Sequence, residues 1–283
     1  MVTPAINTVR YTGVECRSVL NKSGLADYAV NGYTGCAHGC VYCYARFASR
    51  FSHPNQPWGS FVDIKTNAPE VLAREVKRRP AGHVMLSSVC DAWQPVEKDA
   101  LITRRCLEIL VRYRFEIGAL TKSALSRRDL DLLAAGKADF GVTVTTLDPK
   151  LAGIIEPGAS PPLERLAVLE EAQSKGIRGY AFVGPLLPFL SDTEDNIRSL
   201  LQAIKTIGVD HFYVDKLNLR YGVWPALLKL LREHYPALLA DYRKIFFENV
   251  ARTAYLADLA SRARRIAGEL GIDHKMKLCF PVN

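Results

Sequence analysis

Six short, apolar, β-rich runs separated by helical patterns constrain this chain more than any other feature. They lie at Tyr28–Tyr33, His83–Val89, Phe115–Leu120, Asp139–Thr145, Ile177–Val183 and His211–Leu217. Between them, apolar residues recur at helical spacing. Ile197, Leu200, Leu201, Ile204 and Ile207 share one face, and Trp224, Leu227, Leu228 and Leu231 share another. Ser160 and Asp192, each just ahead of such a run, are candidate N-caps. Strands alternating with helices imply parallel pairing through right-handed crossovers. The expected fold class is α/β, a partial (β/α)6 TIM-type barrel with its chemistry at the carboxyl ends of the strands. A flat doubly wound sheet is the alternative, but no G-x-G-x-x-G turn follows the first strand. Residues 1–27 are expected to form an N-terminal arm and 28–222 the barrel. Residues 223–283 are expected to be a helical extension packed on it, ending in the tail LCFPVN.

Composition narrows the class. Of 283 residues, 48% are apolar and 23% charged, the balance of a folded globule. The longest apolar run, Tyr180–Leu190, is too short to cross a bilayer and is broken by Gly184, Pro185 and Pro188. The start, MVTPAINTVRYTGVE, has no apolar stretch like that of a signal peptide, so a cytoplasmic protein without membrane partners is expected. A formal charge of +8 favours an anionic partner, although the basic residues are spread along several helices.

Seven cysteines occur, and three of them cluster in GCAHGCVYCYAR as Cys36, Cys40 and Cys43, a C-x3-C-x2-C spacing. In a reducing compartment such a cluster points to metal or redox chemistry. Three thiolates on one short loop reach three corners of a [4Fe-4S] cube and leave the fourth iron open. Gly35 and Gly39 allow the tight turn this needs. The competing reading is a zinc site that adds His38, but structural zinc sites usually carry a second cysteine pair, and none follows. His38 is read as a polar loop residue. Cys106 falls within a helical pattern and reads as core, while Cys16 and Cys279 read as peripheral thiols.

The resemblance extends beyond the cysteines. YAVNGYTGCAHGCVYCYAR, WGSFVDIKTNAPEVLAREV, SSVCDAWQP, LTKSALSRRDLDLL, TVTTLDPKLAGIIEPGASPPLERL and VGPLLPFLSD, spread from about Tyr28 to Leu219, resemble the spore photoproduct lyase-like branch of the radical S-adenosylmethionine (radical SAM) enzymes. That resemblance implies a [4Fe-4S] cluster and S-adenosylmethionine as cofactors, with S-adenosylmethionine chelating the open iron. It implies Lys122 as the cation for its carboxylate. Ser87, Ser88, Asp91, Thr143 and Thr145 would supply polar contacts to its amine and ribose, and the backbone at Tyr42 would meet its adenine. Cys90, at the end of the second strand, would be placed to return a hydrogen atom to a product radical. Tyr213 and Asp215 share one face of the last strand and are candidate substrate-facing groups; Gln94, Asn218 and Lys216 are weaker candidates.

The reading that follows is an enzyme forming a deoxyadenosyl radical, with a flavodoxin or ferredoxin as reductant. The bond cleaved is expected to be C–C or C–N. Two macromolecular substrates compete: a nucleic acid lesion, or a ribosomally made precursor peptide brought by a small leader-binding protein. The lyase acting on spore DNA has a longer N-terminal region, so its substrate is not carried over. No aromatic ladder for single-stranded nucleic acid is visible in the sequence. A non-catalytic iron–sulfur or zinc protein is the alternative of another class.

Overall fold

The computed structural model of the chain describes residues 9–281. Its strands are β1 (Arg10–Val14), β2 (Leu20–Lys22), β3 (Tyr28–Val30), β4 (Tyr33–Thr34), β5 (Phe61–Lys65), β6 (His83–Leu86), β7 (Glu116–Thr121), β8 (Lys137–Val144), β9 (Arg178–Leu186), β10 (His211–Lys216) and β11 (Met276–Leu278). The helices are α1 (Arg46–Ser52), α2 (Ala68–Glu75), α3 (Glu97–Ala100), α4 (Ile102–Arg112), α5 (Leu130–Ala135), α6 (Pro149–Ile155), α7 (Pro162–Ser174), α8 (Glu194–Ile207), α9 (Val223–His234), α10 (Leu239–Phe247) and α11 (Asn249–Glu269).

All six expected strands are present, as β3, β6, β7, β8, β9 and β10. They lie side by side, in sequence order, within an eight-stranded sheet of order β11-β10-β9-β8-β7-β6-β3-β2. Every neighbouring pair from β3 to β11 is parallel, so the carboxyl ends all point the same way. The sheet does not close, because β2 and β11 are its two free edges. Strand alternation divides its residues between two faces. Val84, Ile117, Phe140, Val142, Ala181, Val183, Phe212 and Val214 join the hydrophobic core with the helices. Their alternates Met85, Leu120, Thr143, Phe182, Tyr213 and Asp215 lie on the opposite, inner face.

Helix α8 shows how the outer layer is held. Ile197, Leu200, Leu201 and Ile204 are fully buried, and each such side chain stabilises the fold by roughly 1.5–3 kcal/mol. Its N-cap is Thr193, whose hydroxyl accepts from the Asn196 amide at 3.3 Å, and Gly208 ends it in the left-handed region. The expected caps therefore shift by one residue. Asp192 instead accepts from the Phe189 amide at 2.6 Å, and Ser160 precedes Pro161, the N-cap of α7.

Strands β1, β2, β5 and β11 were not anticipated. The tail after α11 is not purely a helical extension: Met276–Leu278 forms β11, which adds parallel to β10 in the register Phe212↔Met276, Tyr213↔Lys277 and Val214↔Leu278. Within residues 9–27, β2 runs antiparallel to β3, while β1 pairs with β5 in a small separate sheet that also includes β4. Strands β2 and β11, three residues each, are too short to show a period. Among the described residues, no helix is long and apolar enough to cross a membrane.

Candidate active site

The cysteine loop leaves β4 at the carboxyl side of the sheet and is clamped from several directions. Gly35 takes a φ of +86°, and a Cβ there would lie 2.4 Å from the Phe61 carbonyl oxygen. A Cβ on Gly59, at φ +95°, would come within 2.8 Å of the Gly39 Cα, so the turn before β5 rests directly on the loop. The Val41 amide donates to the Ile155 carbonyl (2.9 Å) and the Gly158 amide to the His38 carbonyl (3.0 Å). Gln94 is fully buried and grips the loop on both sides of Cys36, accepting from the Ala37 amide at 2.8 Å and donating to the Gly35 carbonyl at 3.4 Å.

Cys36, Cys40 and Cys43 line one cavity. Ser87, Ser88, Cys90 and Asp91 from the end of β6, Lys122 from the end of β7, and Thr143 on β8 line it too. Four other candidates lie outside its walls. Tyr42 is buried beneath the loop with its hydroxyl donating to Glu156. The Thr145 oxygen is spent among Glu156 (3.1 Å), the Gly184 carbonyl (3.0 Å) and Tyr42 (3.2 Å). Tyr213 packs edge-on against Tyr180 and His211, with the Lys277 ammonium 5.5 Å from its ring centroid. Asp215 sits beyond it, 3.4 Å from the Asn218 amide group and 2.9 Å from the Lys216 N–H.

The charges in and beneath the cavity are balanced unevenly. Asp91 accepts from Thr121 Oγ1 (2.7 Å), the Trp93 amide (2.9 Å) and the Lys122 amide (2.8 Å), and lies 3.4 Å from His38 Nδ1. It ties the end of β6 to the end of β7. His38 is buried, and that burial, opposed by Asp91, pushes its pKa down and keeps the ring neutral. Below the loop, Glu156 and Arg165 form a fully buried pair at 2.5 Å. Burial alone would raise the Glu156 carboxyl, but Arg165 and Lys122 outweigh it and hold it below its ordinary value. Lys122 itself is pushed up, because Cys40 and Glu156 overcome the cost of its burial. Its ammonium stands 5.6 Å from the Tyr42 ring centroid. Burial pushes the Cys36 thiol well up, the Cys40 thiol up to about 12, and the Cys90 thiol up to about 11. Ser87 holds a φ of 58°, a left-handed conformation uncommon for residues with a side chain.

These residues fit the cofactors of an open-iron cluster. Among the described residues, no three His, Cys, Asp or Glu side chains are grouped to hold a single ion. A cube asks for something different, three thiols spaced around one cavity wall. The thiols would lose their protons on binding metal, a release that burial otherwise opposes. Two donors remain to be used. Lys122 has no carboxylate within ion-pair distance among the described residues, and the buried Trp58 Nε1, on the cavity wall, has no hydrogen-bond partner. Trp58, Tyr44, Glu156 and Arg165 escaped the sequence reading. WGSF and IIEPGAS were visible as segments, but no period marks a buried acid or an indole aimed into a cavity.

Comparisons with known proteins agree with this geometry. The chain is 36% identical over 170 residues to an uncharacterized protein of Methanocaldococcus jannaschii, covering 60% of this chain and 64% of that one, less than two thirds of its length. It is 31% identical over 257 residues to an uncharacterized protein of Mycobacterium tuberculosis, covering 86% and 75%. A Pseudomonas phage M6 protein named a radical SAM Nalpha-GlyT isomerase matches at 23% over 248 residues, covering 84% of this chain and 51% of that one. Among solved structures, spore photoproduct lyase complexed with dinucleoside spore photoproduct superimposes with a TM-score of 0.66 at 16% identity, covering 95% and 82%. That likeness shows the fold. The radical SAM superfamily model matches residues 30–213, from the end of β3 to the middle of β10. With more than half of its length matched, this chain belongs to the radical SAM superfamily, whose members use a [4Fe-4S] cluster and S-adenosylmethionine.

Proposed function

We propose that this chain is a radical SAM enzyme acting on nucleic acid, with Cys36, Cys40 and Cys43 as its cluster ligands. The observation that supports the radical chemistry is the meeting of these thiols with the Lys122 ammonium, which has no ion-pair partner among the described residues, on one cavity wall. When bound, the cluster and S-adenosylmethionine would supply one-electron reductive cleavage to a deoxyadenosyl radical that abstracts hydrogen from the substrate. Lys122 meets the S-adenosylmethionine carboxylate, a charge-assisted contact of about 1.5–3 kcal/mol. The hydroxyls of Ser87, Ser88 and Thr143 take its amine and ribose. Asp91 contributes through Lys122 and Thr121, fixing the lysine's backbone. Tyr42 anchors the loop from below, so that only its backbone is left for adenine.

Cys90 faces the same cavity, with its sulfur 3.5 Å from the Tyr33 carbonyl. Raised to about 11, its thiol stays protonated at neutral pH, the state needed to hand a hydrogen atom to a substrate radical. Asp215, pushed up to about 6 by burial, is poised to exchange a proton near neutrality at the far side of the inner face. Lyase-type C–C or C–N cleavage is supported by the fold shared with spore photoproduct lyase, and a rearrangement by the phage isomerase. Residues 28–222 carry the chemistry, in a cytoplasmic setting where a flavodoxin or ferredoxin donates the electron.

Anaerobic reconstitution followed by dithionite and S-adenosylmethionine tests this reading. Methionine and 5′-deoxyadenosine are expected, and both should vanish in the Cys36→Ala, Cys40→Ala, Cys43→Ala triple variant. A reconstituted wild-type chain that yields neither product would sink it.

A further inference from the structure

The surface beside the cysteine loop gathers cations and exposed aromatic rings in one strip. On the far side of the sheet, Arg198 and Arg265 are matched by Glu194 and Glu269. Several cations gather around the carboxyl end of β10. Among the described residues, none of Arg50, Lys216, Arg220 and Arg252 has a carboxylate within ion-pair distance. Lys216 bonds only the neutral amide of Asn218 (2.6 Å), and Arg252 that of Asn249 (2.5 Å). Lys216 and Arg252 together line a cavity of about 160 Å³ with Leu219 and Phe246. Burial pushes the Lys216 pKa down; neighbouring Asp215 opposes this, while Arg252 and Arg220 add to it.

Aromatic faces stand in the same strip. Helix α1 begins three residues after Cys43 and rests on the 217–222 loop, where a Cβ on Gly222 would meet Arg46 at 3.4 Å. The Arg50 guanidinium lies 4.6 Å from the Phe51 ring centroid and 5.4 Å from that of Tyr221. Phe51 is 74% exposed and Tyr221 60%.

We infer that this strip, from α1 across the 217–222 loop to the cavity between Lys216 and Arg252, is a binding surface for single-stranded polynucleotide. The unpaired cations take phosphates along the strip, and Phe51 and Tyr221 stack on unpaired bases. An acidic peptide would answer the charges and leave the ring faces idle. The inference rests on the proposed nucleic-acid substrate and names the surface that brings a strand to the cavity holding Cys36, Cys40 and Cys43.

Fluorescence anisotropy with a labelled oligothymidylate of about 16 nucleotides, titrated into the full-length reconstituted chain, tests it. Binding should weaken steeply between roughly 50 and 200 mM salt, and Lys216→Ala or Arg252→Ala should each flatten the log–log salt slope by about 0.7. Phe51→Ala should weaken binding by at least about fivefold while leaving that slope in place. Circular dichroism of each variant guards against loss of fold. An oligonucleotide that does not bind, variants that bind as wild type does, or an acidic peptide of equal charge binding more tightly would each overturn the inference. S-adenosylmethionine cleavage by the wild-type chain without oligonucleotide is run alongside. A chain that cleaves it and ignores the oligonucleotide loses this surface but keeps its radical chemistry.

Discussion

Lys122 and Asp215 place two ionisable groups at opposite ends of the inner face, and each makes a separate statement about binding or stability. Among the described residues, no carboxylate lies within ion-pair distance of the Lys122 ammonium. Lys122→Met should therefore retain the cluster, followed by its visible absorbance, and bind S-adenosylmethionine roughly ten- to a hundredfold more weakly by anaerobic calorimetry. Lys122→Arg should recover part of the loss. Asp215 is raised to about 6 from an ordinary value near 3.8, so the folded state holds a proton that the unfolded chain has released. Its contribution is therefore present at low pH and is lost as pH climbs toward about 6. Asp215→Asn should be more stable than wild type at pH 7 by roughly 1–2 kcal/mol in urea unfolding, with the gain shrinking toward pH 4. A gain that is flat across pH would mean that burial is not what raises the group.

At the scale of elements, the cysteine loop depends on the segment after α6. Glu156 receives the Tyr42 hydroxyl and pairs with Arg165, which in turn donates to the Thr143 carbonyl (3.0 Å) and the Ser160 carbonyl (2.6 Å). Removing one member leaves the other charged and buried. Glu156→Gln or Arg165→Met is expected to cost about 3–5 kcal/mol in chemical unfolding, and the double variant less than the sum of the two. This network also marks the limit of the sequence reading. The six strands were legible because their runs are rich in apolar and β-branched residues and alternate with helical patterns, and α8 because its stripe is regular. The cysteines were legible through spacing alone. Glu156, Arg165 and Trp58 were not, because a buried polar group is defined by its partners, and those lie far along the chain.

For the whole molecule, the open parallel sheet explains why the candidate residues converge from so many segments. Seven successive parallel strands bring their carboxyl ends to one rim, and the cysteine loop lies over it. The position of β11 and the inner face's aromatic cluster of Tyr180, Phe182, His211 and Tyr213 were invisible in the sequence. The first is three residues long, and the second is assembled by register between two strands. The same assembly by contact brings Phe51 and Tyr221 together around Arg50, a pairing that no linear pattern of aromatics announces.

The claim on which the rest depends is that three cysteines leave one iron open for S-adenosylmethionine. Electron paramagnetic resonance of the reconstituted, reduced protein, recorded before and after S-adenosylmethionine is added, addresses it directly. The account predicts a reduced [4Fe-4S] signal whose g-values and line shape change when S-adenosylmethionine binds. A signal that S-adenosylmethionine leaves unaltered, or a chain that takes up zinc at these cysteines and no cluster, would contradict it.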